Sequence, residues 1–442
     1  MLNHIKRIYS LIPAHISLPI IKITGIVPIF SKRHWEKVER LGQGIKSVEI
    51  YDELLNLSYD LEKMEFYESS VYSKFIKKPE FKNLKSLPIL HTSLVRDNLD
   101  KFINTKIPGY FTTTGGSGRN PLRIYLSNKS YFKDRVYAFY AWSTLGYSKG
   151  DLKLTLRGVN LGDKLYHFNP MNNELLINIF LLNEDNFSNI LKTVNKYKPV
   201  FGHGYPSAWY NFAQLMQKSN SSLNTKLKGI YFASESIENT RRNYVEEVLQ
   251  TPVRSTYGFT ERAGFAYELP DRKGSYRIAL KYGLMEILKD DGNDASLGER
   301  GRIVCTGFIN PAMPLVRYDT GDSAVVACIE KGFVTEIKDL KGRWGKDFIL
   351  DQNNNKIFTT AINVHSPAQF DFRYIQLYQK EVGELVIKCV PFSELNEKSL
   401  KEIKQEFSQK LPNLSIKTEV CSLEQIHKTN RGKIPYLIKE EI

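Results

Sequence analysis

Residues Ile107 to Ser127 read IPGYFTTTGGSGRNPLRIYLS, a hydroxyl- and glycine-rich loop that runs into a short alternating strand. Glycines at 115, 116 and 118 remove the Cβ atoms that would hold backbone N–H groups away from a polyanion. Thr112, Thr113, Thr114 and Ser117 add hydroxyl donors, and Arg119 adds a fixed positive charge. The spacing is not the Walker pattern, which needs Gly-Lys followed by Ser or Thr, nor is it GxGxxG after a strand. Two readings stay open on this stretch alone, a phosphate cradle and a flexible linker or hairpin turn.

Working outward, 442 residues suggest two or three domains, and 42% hydrophobic with 12% aromatic residues supply packed layers rather than disorder. Cys305, Cys328, Cys389 and Cys421 are far apart with no CxxC, so neither a zinc knuckle nor a disulfide framework is expected, which fits a reducing cytosol. The eight histidines show no ligand spacing, which leaves any metal oxygen-bound and delivered with a nucleotide. The net charge of +14 is spread along the chain with acidic residues among it, so no nucleic-acid partner is expected. The apolar segment Ile12 to Phe30 carries three prolines and Lys22, which argues against stable membrane insertion; a docked or membrane-grazing arm stays open.

Helical spacing from His34 to Phe75 predicts an N-terminal helical cap, ended by Leu87-Pro88. Strands are expected at Arg123–Leu126, Lys153–Leu156, Lys228–Ala233 and Val253–Thr256, with an apolar run at Pro199–Phe201. Helices are expected at Tyr131–Thr144, Asn186–Tyr197, Ser207–Gln217 and Glu238–Leu249. This alternation predicts an α/β fold with parallel sheets covered by helices. After Tyr267 the runs LMEIL, RIVCTG, AVVACI and FVTEI predict a β-rich layer. Beyond Gly342, strand-like pieces near Ile357, Ile375 and Leu385, a helix at Glu397–Gln409 and a strand at Ser415–Val420 make a small α+β domain ending in a basic tail. The expected division is residues 1–342 and 343–442.

Four further stretches bear on chemistry. In Ser255–Arg262, STYGFTER, Tyr257 is suited to stack on a purine, Thr260 to donate to a phosphate and Glu261 to hold Mg²⁺. In Leu315–Asp322, LVRYDTGD, Asp322 is suited to accept two ribose hydroxyls. Leu340–Ile349, LKGRWGKDFI, has hinge character, and Arg343 is suited to ribose or phosphate. In Lys428–Ile434, KTNRGKI, Lys433 is suited to bring a point charge to a reacting carboxylate. Taken singly these also read as a strand end, a surface turn, a linker and a solvated tail.

In this order, the five stretches resemble the adenylate-forming (ANL-type) ligase superfamily, and within it the phenylacetate–CoA ligase and capsule-biosynthesis CapK-like branch. The resemblance spans nearly all of the chain from about Leu87. It implies an ATP-binding domain at 1–342 and a mobile small domain at 343–442 that carries the lysine. It also implies adenylation of a carboxylic acid with release of pyrophosphate, then acyl transfer to a thiol or amine such as coenzyme A, a carrier protein or an amino sugar, in surface-polysaccharide modification.

By the same resemblance Thr112 to Gly118 (Thr112, Thr113, Thr114, Gly115, Gly116, Ser117 and Gly118) would hold the ATP phosphates. Tyr257, Gly258 and Phe259 would face adenine, with Ser234 and Glu235 of FASES beside them. Thr260 would contact phosphate, Glu261 would bind Mg²⁺, Asp322 and Arg343 would hold ribose, and Lys433 would serve adenylation. Ala233, with His203 and Tyr205 of GHGYPS, would lie on the substrate side. The chain departs from the family where Pro121 is followed by Leu122 rather than Lys, leaving Arg119 and Arg123 as the nearest cations, and its hinge has one extra residue before Asp347. Residence in the cytoplasm follows from the same reading. The alternative is a non-catalytic nucleotide-binding or scaffold protein on the same fold.

Overall fold

The structure, a computed structural model, describes residues 18–19, 32–41, 47–114, 122–159, 161–235, 237, 239–342, 348–358, 362, 366–391, 395–422, 424–427 and 436–440. The glycine-rich stretch is the tip of a hairpin in which β1 (Gly109–Thr113) pairs antiparallel with β2 (Arg123–Ser127). Thr114 closes its base: its N–H donates to the Leu122 carbonyl at 3.0 Å, and its hydroxyl accepts from the Leu122 N–H at 2.9 Å. Residues 115–121 lie outside the described residues.

The alternating region then lays down β3 (Lys153–Arg157), β4 (Tyr166–Asn169), β5 (Glu174–Asn178), β6 (Phe201–Gly204), β7 (Ile230–Phe232) and β8 (Val253–Gly258). Pairings among these strands are all parallel except that of the edge strand β4 with β5. Both faces are covered, which is why these strands read as unbroken apolar runs. Ile230 and Phe232 pack with Ile190, Trp209 and Val245 of the helices Glu184–Tyr197, Pro206–Lys218 and Asn239–Leu249. Tyr231 points the other way, to Phe139 and Trp142 of the helix Asn128–Ser143.

The β-rich part follows as β9 (Phe265–Leu269), β10 (Arg272–Ile278), β11 (Gly283–Leu288), β12 (Arg300–Gly307), β13 (Tyr318–Glu330) and β14 (Phe333–Lys341). It continues the same sheet edge to edge, because β9 pairs antiparallel with β8. Among the described residues the twelve strands run in the order β11-β12-β13-β14-β10-β9-β8-β7-β6-β3-β5-β4. The N-terminal helices cover this half, with Leu54, Leu57, Leu61 and Phe75 buried alongside Ile303, Tyr318 and Val326.

Later in the chain β15 (Phe348–Leu350) and β16 (Lys356–Phe358) form a hairpin. A mixed sheet follows, built from β17 (Phe372–Gln379), β18 (Glu384–Pro391), β19 (Ser415–Val420) and β20 (Leu437–Lys439) in the order β19-β18-β17-β20. The helix Glu397–Lys410 presents Ile403 and Phe407 to a core with Leu377, Leu385 and Ile387. The tail read as basic and polar thus contributes a strand, β20, parallel to β17. No described helix is long and apolar enough to cross a membrane, and none of the four cysteines is in a disulfide.

β6 ends at Gly204, whose φ of 143° and close approach to β3 admit no side chain. A Cβ there would sit 1.9 Å from the Leu156 carbonyl oxygen. Gly204→Ala is therefore expected to destabilise the fold by about 2–4 kcal/mol. Chemical denaturation of the variant checks this, and a loss below about 0.5 kcal/mol would contradict the packing described.

Candidate active site

The C-terminal ends of β6, β7 and β8 open on one side of the sheet, where open α/β sheets bind ligands. A cavity of about 710 Å³ lies there, bounded by these strand ends, the β1 hairpin, the helix Asn128–Ser143 and the start of β13. Ile362, Gln369, Ile375 and Tyr436 from the C-terminal part of the chain also contribute to its wall.

Most of the residues singled out from the sequence converge here. Thr112, Thr113 and Thr114 come from β1 and its end. Ala233, Ser234 and Glu235 follow β7; Tyr257, Gly258, Phe259, Thr260 and Glu261 end β8 and enter its turn; Asp322 comes from β13 and His203 from β6. Tyr205, expected on the substrate side, does not line this cavity. Its side chain is buried in the core on the opposite face, with Leu156 and Trp209, because the chain turns at Gly204 into the helix Pro206–Lys218. Gly115, Gly116, Ser117, Gly118, Arg343 and Lys433 lie outside the described residues.

Phenols fix the site's carboxylates. The Tyr257 hydroxyl donates to Asp322 Oδ2 at 3.0 Å, and the Tyr318 hydroxyl donates to Glu261 Oε1 at 2.8 Å. Thr92 lies 3.0 Å from the same Tyr318 oxygen. Burial, then the adjacent Asp322 charge, pushes the Tyr257 phenol well above its ordinary value, so it remains a donor. Glu235 is turned to the helix Pro206–Lys218, accepting from the Ser207 N–H and hydroxyl, each at 2.9 Å, where a carboxylate complements the helix N-terminus. Ser234 sits at φ 70°, in the left-handed region, at the bend between β7 and this contact.

On the helix side the Tyr282 hydroxyl donates to Asp134 Oδ1 at 2.8 Å, and Arg262 donates to the Ser130 hydroxyl at 3.0 Å. His203 Nδ1 lies 3.1 Å from the Tyr231 carbonyl, which only accepts, so Nδ1 carries a proton. Burial, and then the nearby Arg157 charge, pushes the His203 pKa down to about 4, leaving a neutral ring against Trp142 at 4.9 Å. Tyr131, Asp134, Arg135, Arg262, Tyr282 and Tyr318 were not foreseen from the sequence. Tyr318 and Arg262 adjoin recognised motif residues, and the spacing of Tyr131, Arg135, Ala138 and Trp142 marks one helix stripe. Among the described residues no group of three or more His, Cys, Asp or Glu is arranged to hold a metal ion alone.

Protein CapK of Staphylococcus aureus is 24% identical to this chain over 400 residues, covering 85% of this chain and 86% of that protein. A structure of 2-hydroxyisobutyryl-CoA ligase in the postadenylation state, in complex with R3-HIB-AMP, superposes with a TM-score of 0.55 at 13% identity over 90% of each chain. The chain has the adenylate-forming ligase fold. The same ligase with 2-HIB-AMP and CoA in its thioesterification state also has a TM-score of 0.55, at 14% identity over 90% of this chain and 91% of that one. No family model matches. With the CapK likeness, the adenylate-forming fold agrees with the CapK-like branch indicated by the motifs.

His203 gives the site a pH signature. A buried histidine whose folded pKa is depressed resists protonation only in the native state, so its contribution is present above about pH 6.5 and is lost as pH falls toward about 4. Thermal unfolding midpoints of the wild type are expected to drop between pH 7 and pH 5 by more than those of His203→Gln. Equal drops would remove His203 from the buried, neutral role.

Proposed function

We propose that this protein is an ATP-dependent adenylating ligase: the carboxylate of an acid attacks the α-phosphorus of ATP, forming an acyl-adenylate and releasing pyrophosphate, and the acyl group then passes to a thiol or amine. The observation that carries this reading is the convergence on one cavity of the β1 threonines, the Tyr257–Asp322 pair and the Thr260–Glu261 turn. Asp322 offers carboxylate oxygens of the kind that accept two ribose hydroxyls. The hairpin threonines and Thr260 offer hydroxyl donors to phosphate oxygens. Tyr257 and Phe259 offer aromatic surface for a base.

A magnesium ion fits the donor chemistry. Mg²⁺ is usually held by one or two carboxylates together with substrate phosphates, and Glu261, oriented by Tyr318, is the cavity carboxylate next to the Thr260 hydroxyl. When bound, it would neutralise phosphate charge. The chain's own task is alignment and charge stabilisation. Residues 1–342 would form the ATP- and acid-binding domain, and 343–442 a mobile domain carrying Lys433 in and out. Coenzyme A, a carrier protein and an amino sugar are the candidate acceptors; a place in surface-polysaccharide modification, in the cytoplasm, rests on the family resemblance alone.

Pyrophosphate release with ATP, Mg²⁺ and a panel of carboxylic acids tests the reading. ATP binding without pyrophosphate from any acid would favour a non-catalytic nucleotide-binding protein. Asp322→Ala is expected to weaken ATP binding by about 1–3 kcal/mol, as for a lost buried polar partner, and unchanged calorimetric affinity would remove it from the site. Lys433→Ala is expected to leave ATP binding intact while slowing pyrophosphate formation by roughly two to three powers of ten. Acyl transfer from a chemically made acyl-adenylate should survive in that variant, and loss of both steps would assign Lys433 to folding instead.

A further inference from the structure

We propose that the acid taken by this site is a dicarboxylate, whose distal carboxylate is held by Arg135. This rests on the adenylation reading for the fate of the other carboxylate. The helix Asn128–Ser143 lines the cavity with Tyr131, Arg135, Ala138 and Trp142, spaced so that they share one face. The Arg135 guanidinium lies 4.9 Å from the centroid of the Tyr131 ring. The carboxylates nearest to it are already engaged. Glu174 accepts from Thr155 and Arg157 at 3.1 Å, Asn169 at 2.9 Å and Asn172 at 3.0 Å. Asp134 accepts from Tyr282 and lies 3.9 Å from Arg262. Among the described residues Arg135 has no ion-pair partner within 4 Å.

The surroundings carry a surplus of positive charge. Lys153 is buried, its Nζ 5.5, 5.3 and 5.3 Å from the ring centroids of Phe139, Trp142 and Tyr147, and it donates to the Tyr147 hydroxyl at 3.3 Å and to the Asn172 carbonyl. With Arg135 and Arg157 it faces the carboxylates of Glu174 and Asp151, the latter already paired with Lys228 at 2.8 Å. Burial first, with both arginines opposing its charge, takes the Lys153 pKa down to about 7 even though Glu174 and Asp151 act to raise it. An enclosed cation beside such a cluster favours an anionic partner.

Arg135 stands between the β8 turn, whose Arg262 lies 5.8 Å from the same Tyr131 ring, and the cations of β3. The charged neighbours of Arg135 include Glu174 on β5. Lys153 and Arg157 lie on β3, which is three strand spacings, or about 14 Å, from β8 and its Thr260–Glu261 turn. An acid reacting near β8 and ending at Arg135 lies within this one cavity, with one carboxylate at each end.

The test compares succinate, glutarate and adipate with butyrate, pentanoate and hexanoate, in pyrophosphate release and in calorimetric binding. The wild type is expected to favour a dicarboxylate over its chain-matched monocarboxylate by roughly ten- to hundredfold in kcat/KM, the range for a hydrogen-bonded charge. Arg135→Gln should abolish that ratio with ATP affinity unchanged, and Arg135→Lys should restore part of it. Equal use of the two series by the wild type would overturn the proposal, as would an equal loss for both series in Arg135→Gln, which would place Arg135 on the reacting carboxylate. If no acid releases pyrophosphate, binding decides: Arg135-dependent dicarboxylate binding upholds the pocket while the adenylation reading fails, and its absence overturns both.

Discussion

The site depends on the double pairing of one strand. β8 is bonded on one edge to β7, running the same way, and on the other to β9, running back. It therefore ends the parallel half of the sheet and begins the antiparallel half. Its carboxyl end must stand with those of β6 and β7, and the chain must reverse at once to return as β9. Phe259 to Gly264 make that reversal, with Arg262 in the left-handed region at φ 54°. At Gly264 a Cβ would meet Cys305 Sγ at 2.7 Å and Met285 Cε at 2.8 Å. Thr260 and Glu261 are thereby fixed at the junction between the two halves.

Around that junction the charges are anchored by neutral donors or by buried pairs. Tyr257, Tyr318 and Tyr282 each give a hydroxyl proton to a cavity carboxylate, which orients Asp322, Glu261 and Asp134 without neutralising them. Behind them Arg317 forks onto Glu286 with two bonds of 3.0 Å and also donates to the Leu87 carbonyl. Leu90 bridges to Tyr318 beside it: its N–H donates to the Arg317 carbonyl at 2.9 Å and its carbonyl accepts from the Asp319 N–H at 3.0 Å. The helical cap is in this way tied to the strand that carries Tyr318 and Asp322, and breaking the Arg317–Glu286 pair would leave a buried charge uncompensated.

Much of this was legible in the sequence because it is local. Apolar periodicity located the principal strands and helices of the parallel half, and the motifs YGFTE and RYDTGD placed Tyr257, Glu261 and Asp322 in one cavity. What escaped depends on distant partners or on polar turns. Glu261 and Tyr318 are 57 residues apart, and Asp134 and Tyr282 are 148 apart, so no spacing rule links them. β4 and β5 are joined by an asparagine-rich turn in which Asn173 takes φ 46°, a polar stretch that conceals two short strands. Tyr205 lies apart from the cavity because the backbone turn at Gly204 carries its side chain to the far face of the sheet.

The central claim is that a carboxylate attacks the α-phosphorus of ATP in the cavity at the end of β8. Heavy-oxygen labelling tests it most directly: the acid that supports turnover is labelled in its carboxylate, and the phosphorus products are analysed by mass spectrometry. Attack at the α-phosphorus, followed by acyl transfer to the acceptor, leaves one labelled oxygen in AMP and none in pyrophosphate. Label in inorganic phosphate, with ADP as the nucleotide product, would place the attack at the γ-phosphorus and contradict the account.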